Sequence, residues 1–219
     1  MLLIPRRDLG LFFEQGSETA AVFCSHRLRA RRDWNPSHVS APSPRETPVR
    51  PVLTEAAVWY ILVYTMFLYD VVAALEKAEV PFAIAGGYAV ALHGAVRGTV
   101  DVDILLRLSR SHFIAAESAL KTLGLASRLP VSGAEVFDFR KEYIKNKHLV
   151  AWSFSNPRDP SQIVDIIITH DLAKLKTKRI QSGGRSLPVL AVPDLIAMKR
   201  VSGRPQDLED IRALEELRK

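Results

Sequence analysis

From residue 66 onward, apolar and polar positions alternate in two rhythms along the chain. Leu68, Val71, Val72 and Leu75 recur at helical spacing, which predicts one amphipathic helix over 68–77. Pro81 ends it, and Phe82–Ala85 reads as a buried strand. After Gly86 and Gly87, Tyr88–His93 suits a short helix, and Val100–Leu106 alternates as a second strand. Ser109 is a candidate cap for a helix through Leu120. Segments 134–139, 149–154 and 162–169 read as further strands, the last built on the β-branched run IVDIII. Pro193 and Asp194 open a helix through about Val201, a turn follows at Gly203–Pro205, and 206–217 closes the chain as an amphipathic helix. This order predicts an α/β (α+β) fold: a mixed β-sheet flanked by helices, with a small C-terminal helical part.

The N-terminal quarter differs. Residues 25–51 hold five prolines, several arginines and almost no apolar periodicity. Such a composition buries too little surface to offset the entropy of ordering, so residues 1–53 are expected to be a disordered extension. The expected organisation is then an N-terminal helix over 54–80, a core over 81–190 and C-terminal helices over 191–219. Met66 begins a stretch that reads like a natural domain start, so the preceding residues are expected to be dispensable. Residues 56–69 are strongly apolar, but a stretch of fourteen falls short of the roughly 20 residues that span a bilayer. They read as a helix buried in protein.

Composition adds little that is sharp. The formal charge is +6, yet residues 1–50 carry half of it, so the basic balance is weak support for nucleic-acid binding. The single Cys24 excludes an internal disulfide and a cysteine-rich zinc site, and it suits a cytoplasmic protein.

The chemistry concentrates in residues 84–104, IAGGYAVALHGAVRGTVDVDI. Side chains two apart on a strand share a face, so Asp101 and Asp103 project together while Val102 packs inward. Adjacent carboxylates repel unless a cation sits between them. Glycine at 86 and 87 would let backbone approach a phosphate closely, with N–H groups exposed at a helix start. Arg97 could offset phosphate charge, or be an exposed loop arginine. Thr99 could face the ligand or merely enter the strand, and Tyr88 and His93 read as packing or surface residues. Asp165 is the third acid: a carboxylate within a β-branched run is costly unless paired or turned outward. If its strand lies beside Val100–Leu106, it joins Asp101 and Asp103 in a cluster of hard oxygen donors suited to Mg²⁺.

Taken together, the Gly-Gly turn, the D-x-D strand and the later acid resemble the nucleotidyltransferase superfamily with its DNA polymerase beta-like fold, over roughly residues 80–213. The tail DLIAMKRVSGRPQDLEDIRAL is similar to that of minimal AbiEii-type, toxin–antitoxin-related nucleotidyltransferases, matching at Lys199, Arg204, Asp207, Leu208, Asp210 and Ile211. The resemblance implies that Asp101 and Asp103 ligate two Mg²⁺ ions, with Asp165 on the ion that activates the acceptor hydroxyl. It implies that Lys199 contacts the phosphates of an NTP, with Asp207 or Asp210 positioning it. The implied reaction transfers a nucleoside monophosphate to a hydroxyl of an RNA, such as a tRNA end, or of a partner protein. A small-molecule acceptor of aminoglycoside type is the alternative, as is a non-catalytic binding partner that keeps the fold. Two basic stretches, 140–148 and 174–185, read as solvated faces or hairpin turns; flanking the cleft, they could hold an RNA backbone.

Overall fold

The structure, a computed structural model, describes the backbone of residues 55–217 and the side chains of residues 65–217. The expected disordered segment 1–53 lies outside the described residues. Helix α1 (Glu55–Lys77) leads into strand β1 (Phe82–Ile84), followed by α2 (Gly86–Leu92), β2 (Val102–Leu106) and α3 (Arg110–Thr122). Then come β3 (Ala126–Ser127), α4 (Gly133–Asp138), α5 (Arg140–Lys147), β4 (Ala151–Asn156) and β5 (Asp159–Ile167). The hairpin β6 (Thr177–Ser182) and β7 (Arg185–Leu190) precedes α6 (Val192–Ser202) and α7 (Pro205–Glu216). Helix α1 is already formed at Glu55, well before Met66. Among the described residues, no helix is long and apolar enough to cross a membrane.

Among the described residues, seven strands join one mixed sheet in the order β3-β4-β5-β2-β1-β7-β6. β2 runs antiparallel to β1 and parallel to β5, and β7 runs parallel to β1. The two faces of β4 and β5 differ sharply. Trp152, Phe154, Val164 and Ile166 are buried on one face, where the Trp152 ring stacks on Phe113 of α3 at 6.3 Å. Aromatic contacts of this kind add to the area that they bury. On the other face, residues 151, 153, 155, 163 and 165 are only half-buried. A strand period of two thus separates a packed side from an open one.

One expectation needs correction. Residues 134–139 form helix α4 and its C-cap, not a strand. Their alternation mimics a strand, but Ser132 and Glu135 make a reciprocal capping box that supplies partners for the first free N–H groups of a helix. Gly133 lets that helix lie against α3, since a Cβ there would stand 2.5 Å from the Phe113 carbonyl oxygen. The basic stretch 140–148 forms helix α5 with its cap, a solvated face, which is one of its two expected forms. The stretch 174–185 is mostly strand β6, whose exposed charged positions blunt the sheet edge, plus its turn into β7.

Candidate functional site

The parallel register of β2 and β5 sets Asp103 directly opposite Asp165. Partners in such a ladder project to the same face, so the two carboxylates share one side of the sheet, the open one. Asp101 sits on the bend just before β2, two residues from Asp103 and near enough for its charge to act there. Burial first, and then the charges of Asp165 and Asp101, push the Asp103 carboxyl up to about 6, against the pull of Lys199 and the Gly87 N–H. Although Asp101 reaches solvent, partial burial and the Asp165 charge also raise its carboxyl, with Arg128 opposing them. One Asp165 oxygen, Oδ1, is buried without any hydrogen-bond partner. Such an atom costs free energy where it stands.

The two glycines are fitted to this corner. Gly86 has φ +57° and lies so close to Asp103 that any Cβ would overlap the carboxylate. A Cβ on Gly87 would stand 2.5 Å from Thr99 Oγ1. Thr99 therefore packs on the glycine turn and holds the chain entering β2 against it. Tyr88 is buried in the core. His93 Nε2 lies 2.8 Å from the Leu190 carbonyl oxygen, tying α2 to β7. Both placements are structural.

Lys199 is buried on α6, and its ammonium bonds Asp210 at 2.7 Å and Asp207 at 3.2 Å on α7. Arg97 Nε lies 3.1 Å from the other Asp210 oxygen, while its Nη1 bonds the Gly98 carbonyl. The Arg97 Nε–H does not point along a hydrogen bond, so its link to Asp210 is one of charge. Two cations and two carboxylates thus join the loop before β2 to the C-terminal helices. Asp207 also accepts from the Arg204 backbone N–H, closing the first turn of α7. Burial raises the Asp207 carboxyl, but bonds from Ser202, Lys199 and Arg204 outweigh it, and the net shift is downward.

Arg128, just after β3, was not singled out by the sequence. Its backbone N–H bonds the Ser153 carbonyl, and its charge is felt at Asp101. No spacing could have found it, because only the pairing of β3 with β4 brings it to the carboxylates. The basic stretches do not flank this corner. Arg140, at the start of α5, bonds the Ile168 carbonyl beyond the C-terminal end of β5, whereas Asp101 lies at the N-terminal end of the parallel neighbour β2. β6 is the outermost strand on the far side, three places from β2, or about 14 Å across the sheet.

No family model matches the sequence, and no curated protein matches it. Solved structures do. The chain is similar to the antibiotic-resistance factor ANT(2'')-Ia in its solution structure, with a TM-score of 0.51 and 12% identity over 70% of this chain and 83% of that one. A putative nucleotidyltransferase from Thermotoga maritima gives a TM-score of 0.43 at 16% identity, over 71% of this chain and 91% of that one. The lincosamide antibiotic adenylyltransferase LnuA, with lincomycin bound, gives 0.43 at 17% identity, over 75% and 98%. The likeness to the first is one of fold: residues 55–217 adopt the nucleotidyltransferase fold, a mixed sheet flanked by helices.

Proposed function

We propose that this chain is a metal-dependent nucleotidyltransferase, moving a nucleoside monophosphate from an NTP to an acceptor hydroxyl. The register of β2 and β5 carries this reading, because it brings Asp165 beside Asp103 on the side where Gly86 leaves no room for a side chain. Asp101, Asp103 and Asp165 are the catalytic and metal-binding residues in this proposal. The donor set fits a hard divalent cation: every candidate atom is a carboxylate oxygen, Asp165 Oδ1 is buried without a partner, and burial and mutual repulsion oppose ionisation of Asp103. Among the described residues, no three His, Cys, Asp or Glu are gathered closely enough to hold a metal ion by themselves. Mg²⁺ is commonly held by one or two carboxylates with substrate phosphates completing its shell.

When bound, one or two Mg²⁺ ions would neutralise charge on the attacking and leaving oxygens. The protein's own groups do the rest. Gly86 and Gly87 let Asp103 and Thr99 pack against the turn, which leaves the first N–H groups of α2 beside the carboxylates for a phosphate. Arg97 and Lys199 would offset phosphate charge, and Asp207 and Asp210 hold Lys199 in place. The acceptor oxygen bonds to the α-phosphorus, the bond from that phosphorus to the pyrophosphate oxygen breaks, and the hydroxyl proton passes to Asp165.

The acceptors that the tail resemblance implies, a tRNA end or a partner protein in a toxin–antitoxin pair, draw no support from the charge distribution. The basic segments that would hold an RNA backbone lie away from the carboxylates. A small-molecule acceptor, as for the antibiotic-modifying proteins of similar fold, is the reading that we favour. The test is pyrophosphate release from each of the four NTPs with Mg²⁺, in the wild type and in Asp103→Ala. Pyrophosphate that depends on Asp103 supports transfer. Orthophosphate in its place would mean a phosphohydrolase, and no Mg²⁺-dependent nucleotide binding would leave the non-catalytic reading.

A further inference from the structure

One row of side chains crosses the open face of the sheet. Asp103 of β2 pairs with Asp165 of β5, and Asp165 with Ser153 of β4. The pairing of Ala126 with Ser155 and of Ser127 with Phe154 carries the row on to Arg128, whose backbone N–H bonds the Ser153 carbonyl at 2.9 Å. Partners across a ladder project to one face, so this arginine shares it with both acids. Strands about 4.8 Å apart put the Arg128 backbone about 10 Å from that of Asp165 and about 14 Å from that of Asp103. Its charge is nonetheless felt at Asp101, so the guanidinium extends from the end of β3 back toward the acids.

The cations around this corner differ in how far they are already engaged. Lys199, whose charge acts on Asp103, is buried between Asp207 and Asp210, and Arg97 leans on Asp210. Two positive and two negative charges cancel there. Arg128 is exposed, and among the described residues its guanidinium makes no hydrogen bond and no ion pair. It also stands on a particular side. In the transferase reading the nucleotide phosphates lie at the Gly86–Gly87 turn, which follows β1 on one side of β2. Asp165, which takes the acceptor's proton, lies on the other side, and Arg128 lies beyond it. We propose that Arg128 is the residue that sets acceptor specificity, holding a carboxylate of a small acceptor whose hydroxyl lies at Asp165. One guanidinium matches the single charge of a carboxylate through two parallel N–H donors, whereas an RNA backbone needs several cations along its track. This assignment rests on the transferase reading and goes beyond it by giving the acceptor a charge and the residue that reads it.

The test incubates the purified protein with Mg²⁺, each α-labelled NTP and the low-mass fraction of a cell extract, resolved by ion exchange into anionic, neutral and cationic pools. A parallel arm treats the fraction with phosphatase, removed by filtration before use, to strip phosphate esters. The proposal expects label in the anionic pool of both arms. Arg128→Ala should lower that transfer at least tenfold, with the deficit narrowing as the pool is concentrated, and Arg128→Lys should restore part of it. The melting-point rise of Arg128→Ala with Mg²⁺ and NTP should be no smaller than that of the wild type, because losing a cation near Asp101 does not weaken its hold on a divalent ion. Label in the neutral or cationic pool, label that the phosphatase step abolishes, or label in no pool overturns the proposal. Undiminished transfer by Arg128→Ala also overturns it, as does a smaller melting-point rise in that variant, which would put Arg128 on the nucleotide. A wild type that no NTP stabilises in the presence of Mg²⁺ sinks the underlying transferase reading instead.

Discussion

Replacing Asp103 by Asn should make the metal-free protein more stable while abolishing its activity. The Asp103 carboxyl is pushed from 3.8 to about 6, first by burial and then by the charges of Asp165 and Asp101. Holding such a group ionised at neutral pH costs about 3 kcal/mol, and screening by the solvent that reaches it reduces this to about 2 kcal/mol. The amide of Asn keeps an oxygen for the Gly87 N–H and loses only the charge. In EDTA at pH 7.5, the variant should therefore melt about 4–8 °C above the wild type. The sign follows from linkage: between pH 4 and 6 the folded wild type binds more protons than the unfolded chain. Its stability therefore falls as pH rises through that window and levels off above it. The variant should lack this part of the slope. Differential scanning fluorimetry from pH 4 to 8 measures both effects. Equal melting points at pH 7.5, or a less stable variant, would show that the carboxylates are not under mutual strain.

Gly86→Ala combines a left-handed φ with overlap on Asp103, so it should lose at least about 2 kcal/mol in urea unfolding together with nucleotide binding. Gly184→Ala, at φ +75° with open space around it, should cost only about 1 kcal/mol and spare the site. Asp210→Ala leaves Lys199 and Arg97 short of a shared buried partner, and a loss of about 3 kcal/mol in urea midpoint measurements is expected. Asp207, whose carboxyl is depressed, contributes stability that is present above its unfolded value near 4 and is lost as pH falls through the folded value. Asp207→Asn should therefore flatten the acid limb of unfolding below pH 4 and leave the slope above pH 5 unchanged.

The fold and the corner's contents were legible in the sequence to different depths. A D-x-D with one apolar residue between carries its own geometry, because strand period alone turns Asp101 and Asp103 to one side. The β-branched run around Asp165 likewise announces a strand. Partnership between β2 and β5 is a matter of register, which no local pattern contains; it emerges only when buried faces pack on α3. Residues 134–139 misled because AEVFDF alternates like a strand, and the signal against it lay two residues upstream in the capping serine. Strands β6 and β7 were legible only as a possible hairpin turn over 174–185, because edge strands carry charge on the positions that usually reveal alternation. Arg128 was invisible for a related reason: an exposed arginine gains meaning only from its neighbours across the sheet.

Titration calorimetry with Mg²⁺ and each NTP, on the wild type and on Asp165→Asn, bears most directly on whether the two facing carboxylates form a nucleotide–metal site. The account predicts saturable binding of at least one NTP that requires Mg²⁺ and weakens at least tenfold in the variant. Binding of equal strength in Asp165→Asn, or none of any NTP to the wild type, would contradict it.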